Sequence, residues 1–493
     1  MGIIEKQAVK GTIYTYMGVI LGFITTGILF PRILSPEENG LIKLLVSYSA
    51  IFAQLATLGF GRVTTMLFTY FRDKEKKHHG FLFIAMSVAS IGLVICVIIL
   101  LLLKPVIIGE EKAELFTEYF YYIIPLIIVV LFFTVFDSYY KVLYNTVIGT
   151  FLKEFFQRFV ILVSIILFYF NLLGFQSFII LYVIAFSLPT IILIISLVIE
   201  KQFNLKPEPG FLNRSLSRKM ASVSFFGVLT SFSGKLVLNI DSIMINAMIG
   251  ISQTGIYAIT YFFGSIILIS SRSLIKISSV IIADAWKKND LDMINKIYYK
   301  SCINQFIFAI LLFIGIWANI HSIFVILPPE YLPGKYVIFF IGLSCLIQML
   351  GGMNSSIISI SRYYKVQTYF MIILVVLIII TNFIFIPLYG IVGAAIASAL
   401  SNLIFNLLKF FFLWIKFKFQ PYDYKYLLIL IFAVISYYIG YLIPQLDHFI
   451  TDIIIRSLVI AFVFGSLVLL FKISDEFNNK FNIILSIFKK NRS

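Results

Sequence analysis

Charged side chains inside apolar runs are the residues of this sequence whose presence most needs a chemical reason. In "TSFSGKLVLNIDSIMI" (230–245) a lysine and an aspartate interrupt a stretch otherwise apolar enough to cross a bilayer. At 100° per residue, Ser231, Lys235, Asn239 and Ser242 fall within about 80° of one another and form one polar stripe. Asp241 lies about 120° round the helix and about 9 Å along it from Lys235, so the two cannot pair on their own helix. A charge near the bilayer centre costs at least about 2.5 kcal/mol. Lys235 lies too deep in its run to snorkel to the interface. Two compensations remain: a carboxylate on another helix, with Asp137 one candidate, or a water-filled cavity that admits anions. An ammonium flanked by hydroxyl and amide groups is suited to an anion, through charge-assisted hydrogen bonds.

Bond-making chemistry finds little support. There is no GxxxxGK[ST] phosphate loop and no carboxylate pair with nearby His or metal-ligand spacing, so neither an enzyme nor a cofactor or metal is expected. His78 and His79 sit in the charge run "RDKEKKHHG", a solvated loop, while His321 and His448 are isolated. Asp137 and Lys141, four apart, are placed to satisfy each other. Arg456, near the start of its run, is expected to snorkel outward beside Asp452. Arg62, Arg272 and Lys276, taken singly, read as anchors at the ends of their helices.

The elements that must position these residues are membrane spans. Of 493 residues, 60% are hydrophobic and only 13% charged, a composition that fits a bilayer and no soluble domain. Fourteen runs reach spanning length, roughly 11–31, 40–61, 80–103, 116–140, 155–173, 176–199, 219–249, 254–275, 302–327, 334–360, 366–387, 389–415, 424–443 and 453–472. The formal charge of +16 is unevenly spread. With the N-terminus in the cytoplasm, 32 of the 39 Lys and Arg fall in cytoplasmic segments or their helix ends, four in external loops (Arg32, Lys104, Lys112, Lys335) and three within spans (Lys43, Lys235, Arg456). That positive-inside bias places both termini in the cytoplasm. The basic balance therefore reports topology, and nucleic-acid binding drops out. The first run lacks a small-residue cleavage site and reads as a retained span. Cys96, Cys302 and Cys345 lie in apolar runs without CxxC spacing and are expected to pack.

The chain also repeats itself. "SPEENGLI" (35–42) aligns with "GISQTGIY" (250–257), placing Gly40 on Gly255 at an offset of 215. "NLLGFQS" (171–177) aligns with "PLYGIVG" (387–393), Gly174 on Gly390. Six spans return the chain to its starting side, so the expectation is two parallel six-helix repeats about an axis along the membrane normal. The expected divisions are an N-terminal lobe (1–199), a polar, Pro-interrupted cytoplasmic linker (200–218), a C-terminal lobe (219–415), and two added helices with a basic tail (416–493). An amphipathic interfacial helix is expected around 284–300.

In "LYGIVGAAIASALSN" (388–402) small residues recur every four positions, which lets a neighbouring helix approach closely. With its preceding Pro387 this block resembles one found in polysaccharide flippases of the multidrug/oligosaccharidyl-lipid/polysaccharide exporter superfamily. "PRILSPEENGLIKL" (31–44) and "NAMIGISQTGIYA" (246–258) resemble the matching external turns, and the resemblance extends over the whole chain. It implies an all-α polytopic membrane protein whose spans 1, 2, 7 and 8 line a central opening. Lys235, Lys43, Arg62, Arg272, Lys276, Ser231 and Asn239 would line it. Asp241 and Asp137 would serve gating or ion coupling, with Asp241 either a partner for Lys43 across an external gate or a cation-coupling carboxylate. The implied function is flipping of polyprenyl-diphosphate-linked oligosaccharide repeat units across the bacterial cytoplasmic membrane, for O-antigen, capsule or other surface polysaccharide. H+ or Na+ is the expected coupling ion if one is used. Membrane lipid, a polymerase and glycosyltransferases are the implied partners, and a monomer is expected. Alternatives within the superfamily are a lipid II flippase and a drug/cation antiporter, the latter favoured by acidic cavity residues. A membrane glycosyltransferase or polymerase stands further off, because such enzymes normally need a sizeable external loop.

Overall fold

The computed structural model describes residues 3–109, 114–208 and 210–479. Their regular structure is all helix, joined by turns and short loops, with no strand among the described residues. In lipid each backbone polar group must be satisfied within its own segment, and a helix does so. The chain divides into two compact units, Met1–Ile259 with Ile378–Ile380, and Thr260–Leu377 with Thr381–Ser493.

In the first unit the principal helices are α1 (Ile3–Gly22), α2 (Pro36–Ala56), α3 (Phe60–Phe71), α4 (Phe81–Ile108), α5 (Ile123–Val142), α6 (Gln157–Tyr169), α7 (Phe175–Ile199), α8 (Arg214–Ile249) and the start of α9 (Ile251–Ser265), whose residues from Thr260 on belong to the second. Helix α2 starts on a capping box: Ser35 Oγ accepts from Glu38 N and Glu38 Oε2 accepts from Ser35 N, with Pro36 at the first helical position. Buried Asn39 fixes the turn before it by donating to the carbonyls of Phe30, Leu34 and Ser35. The second span then breaks at Thr57–Gly59, where Gly59 has φ +71°, a conformation that favours glycine.

Two glycine contacts set how α8 and α9 lie on this span. A Cβ on Gly40 would fall 2.1 Å from the Ile251 carbonyl oxygen, and one on Gly255 would fall 1.8 Å from that of Pro36. The offset of 215 that aligns Gly40 with Gly255 also carries Pro36 onto Ile251. The contact is thus reciprocal, as a two-fold relation between the segments requires. Near the other end, a Cβ on Gly227 of α8 would stand 2.7 Å from the Gly59 carbonyl oxygen. Ser224 of α8 also donates to the Leu58 carbonyl that the break leaves free.

The second unit contains α10 (Ser271–Lys287), α11 (Leu291–Ala318), α12 (Lys335–Leu350), α13 (Tyr364–Phe417), α14 (Lys425–Tyr441) and α15 (Phe449–Leu470). No separate interfacial helix forms around 284–300; those residues are the end of α10, a turn and the start of α11. The 54 residues of α13 are two helices back to back in sequence. Thr381 Oγ1 lies 3.0 Å from Ser401 Oγ, whereas twenty residues of straight helix would separate them by about 30 Å. The reversal falls at Gly390, at φ 59°, ψ −137°, a backbone state essentially confined to glycine. Past it, a Cβ on Gly393 would meet the Phe385 carbonyl oxygen at 1.9 Å, while Ala394, Ala397 and Ser401 are fully buried. The small-residue stripe therefore packs one arm of this hairpin on the other.

Among the described residues, 11 helices are long and apolar enough to cross a membrane. Ten carry one expected run each and Tyr364–Phe417 carries two. The run at 155–173 is shortened by the π-helical turn Phe151–Phe156 that precedes α6, and the run at 424–443 forms the shorter α14. All three cysteines are free and buried, as expected.

Candidate functional site

Helix α8 bears the polar stripe, and its burial grades along the helix. Ser231 and Lys235 are half-buried; Asn239 and Ser242 are buried. Asn239 turns back on its own helix, its Nδ2 donating to the Lys235 carbonyl at 2.9 Å. Among the described residues no carboxylate forms an ion pair with the Lys235 ammonium. Asp137, the interhelical candidate, pairs instead with Lys141 one turn along α5. Its other carboxylate oxygen lies against Gly149, where a Cβ would come within 1.9 Å.

What approaches Lys235 is a second cation. Lys153, on the π-helical turn Phe151–Phe156, lies within electrostatic reach of Lys235 of α8, of Asp137 and Lys141 of α5, and of its chain neighbour Glu154. Its side chain is solvent-exposed, although charged groups from α5 and α8 surround it, and its Nζ stands 5.1 Å over the Phe133 ring of α5. Glu154 beside it is committed to Arg158 at 3.2 Å, and Arg158 also donates to the Gly18 carbonyl of α1 at 2.7 Å. Both nearby acids are therefore engaged, and neither pairs with Lys153 or Lys235.

Further groups extend this cluster along α8. Towards its start, half-buried Arg62 of α3 reaches Thr230 Oγ1 at 3.5 Å. Towards its end, buried Asp241 accepts from Tyr257 Oη at 2.9 Å and lies within electrostatic reach of half-buried Lys43 of α2. From Thr230 to Asp241 the helix rises about 16 Å. Arg62, Lys235 with Lys153, and Lys43 thus sit at successive levels, with Asp241 at the last. The side chains of Arg272 and Lys276, expected beside them, lie outside the described residues.

Lys153 is the site residue that sequence reasoning missed. In "TFLKEFFQR" (150–158) a lysine, a glutamate and an arginine at the start of a span read as an ordinary interfacial anchor. The π-helical turn Phe151–Phe156 that carries it follows from packing and has no sequence periodicity of its own. Arg456 departs from expectation too. It does not snorkel outward but is buried at 5% exposure beside Asp452 at 3%. Its Nη2 donates to Asp452 Oδ1 at 2.8 Å and its Nη1 to the Gly440 carbonyl at 2.7 Å, while Ser322 Oγ donates to Asp452 Oδ2 at 2.7 Å. The pair ties α14 and α15 to the short helix Ile320–Ile326. Among the described residues no three His, Cys, Asp or Glu side chains converge.

The family described as "Polysaccharide biosynthesis protein" matches residues 8–282, more than half of the chain. No curated protein matches it in sequence. Among solved structures, the lipid II flippase MurJ in an inward closed conformation is similar at TM-score 0.74 and 16% identity, over 94% of this chain and 98% of that one. An inward-facing multidrug resistance MATE family transporter of the MOP superfamily matches at TM-score 0.66 and 13% identity, over 81% of this chain and 93% of that one. An outward-facing transporter of the same description matches at TM-score 0.53 and 10% identity, over 83% and 94%. At such identities the shared feature is the fold.

Proposed function

The chain belongs to the polysaccharide biosynthesis protein family, and from that premise we propose that it flips polyprenyl-diphosphate-linked oligosaccharide units across the bacterial cytoplasmic membrane. One observation supports the reading: Lys153 lies within electrostatic reach of half-buried Lys235, and among the described residues neither has a carboxylate ion-paired to it. Two like charges at close range disfavour each other unless an anion joins them. A diphosphate brings two adjacent anionic groups, and the lysines with Ser231 and Arg62 replace part of its hydration shell by charge-assisted hydrogen bonds. The polyprenyl tail stays in lipid while the head group passes. No nucleotide hydrolysis is required: an inside-negative potential favours outward movement of an anion by about 2.3 kcal/mol per charge per 100 mV.

The drug/cation antiporter reading would need free acids at this site. Asp137 is held by Lys141 and Asp241 by Tyr257, in a surround richer in cations. Asp241 beside Lys43 is the group we assign to gating or H+ or Na+ coupling.

The test is surface polysaccharide measured in a strain lacking the native gene and carrying variants. Lys235→Ala is expected to abolish export with the protein still in the membrane, and Lys235→Arg to retain part of it. Wild-type export by Lys235→Ala would overturn the reading. Rescue of a strain deficient in lipid II flipping, with no effect on surface polysaccharide, would reassign the cargo.

A further inference from the structure

A cavity of about 450 Å³ lies wholly within the second unit, where the end of α10, the start of α11, the turn at 360–363 and the end of α13 meet. Its lining is divided by chemistry. Trp286 and Phe417 form one wall, edge to face with ring centroids 5.3 Å apart, and Trp286 Nε1 is fixed by donating to the Ile357 carbonyl at 3.2 Å. Lys287 and Arg362 bring charge, with Asn289 and Ser361 as uncharged polar groups.

The surroundings strengthen the positive field. Arg362 and Lys416 both stand over the Tyr363 ring, at 5.0 and 5.4 Å. Burial pushes the Tyr363 phenol up, but hydrogen bonds from Lys416 and Arg362 outweigh it and hold the phenol below its ordinary value. A neighbouring acid, Asp290, is occupied as the cap of α11, accepting from Met293 N at 2.9 Å. These elements are helix ends flanked by basic residues, the pattern of segments that meet lipid head groups at the edge of a bilayer.

We propose that this cavity binds the phosphate of an anionic phospholipid, with Lys287 and Arg362 on the phosphate and Trp286 and Phe417 against the glycerol and upper acyl carbons. A basic pocket between helix ends suits a phosphodiester, and a rigid aromatic wall suits the apolar stem next to it. A freely diffusing phosphate would leave that wall unused. The site is separate from the lysine cluster of α8 and does not depend on the translocated cargo.

The full-length protein in phosphatidylcholine nanodiscs, with or without phosphatidylglycerol, provides the test, with retained lipid read by native mass spectrometry. Selective retention of phosphatidylglycerol is expected, weakened roughly thirtyfold in a Lys287→Gln/Arg362→Gln variant and unchanged in Lys104→Gln. Equal retention by the double variant would overturn the proposal. So would displacement of the lipid by millimolar inorganic phosphate, which would make the site one for free phosphate. Should the double variant misfold, hydrogen exchange on the wild type decides: phosphatidylglycerol must protect 284–291 and 360–363, and absence of protection sinks the assignment.

Discussion

At Asp452 and Arg456 the chain buries a cation and supplies its anion one helical turn away; at Lys235 and Lys153 it gathers two cations and commits the nearby acids elsewhere. The first arrangement is closed. Asp452 also receives hydrogen bonds from Ser322 Oγ and the Leu446 amide, and Arg456 caps the Gly440 carbonyl, so the pair joins helices with no need of a ligand. The second is open, because Asp137 and Glu154 are ion-paired elsewhere and Lys153 rests only on the Phe133 ring, which leaves both ammonium groups able to take an incoming anion. Composition cannot tell the two apart, since both are basic residues inside apolar runs. Commitment of the neighbouring carboxylates separates a charge neutralised within the protein from one left open to an incoming anion.

That contrast can be broken most severely at the closed site. Asp452→Ala leaves a buried guanidinium without its carboxylate and is expected to cost about 3–5 kcal/mol, seen as a lower thermal midpoint in detergent, while export per folded molecule holds. At the open site, Lys153→Glu inserts the missing acid. Export is expected to fall at least about thirtyfold, with the thermal midpoint steady or raised because Lys235 gains a partner. Lys153→Gln is the milder form, lowering export about tenfold through loss of one charge-assisted contact, read as surface polysaccharide against membrane protein level. The smallest effect should come from replacing the closed pair altogether. Asp452→Leu with Arg456→Met is expected to stay within about 1 kcal/mol of wild type, since a buried ion pair can be exchanged for well-packed apolar residues. Chemical denaturation of the double variant beside Asp452→Ala measures it.

Much of the fold was legible in advance because its causes are local. Spanning length and the turn glycines Gly40, Gly255 and Gly390 follow from hydropathy, backbone freedom and the repeat spacing. The polar stripe on α8 was legible for the same reason. The partner of each charge was not. Asp137 faced two lysines in principle, and the geometry within α5 chose Lys141. Arg456 carried the same sequence signature as a snorkelling residue, yet it turns inward because Gly440 lets α14 approach: a Cβ there would stand 2.5 Å from Ile460 of α15.

The amino-acid sequence by itself determined a helical, many-spanning chain with a basic side, glycine-marked turns and one helix carrying a lysine deep in its apolar length. Only the tertiary structure decided that Lys153 joins that lysine, that the neighbouring acids are taken, and that Arg456 is neutralised in place. Periodicity and hydropathy act within a helix over one or two turns. Meetings between charges on different helices depend on how those helices rotate and cross, and here backbone contacts at Gly40, Gly59, Gly227 and Gly255 fix the crossings of α2 and α3 with α8 and α9.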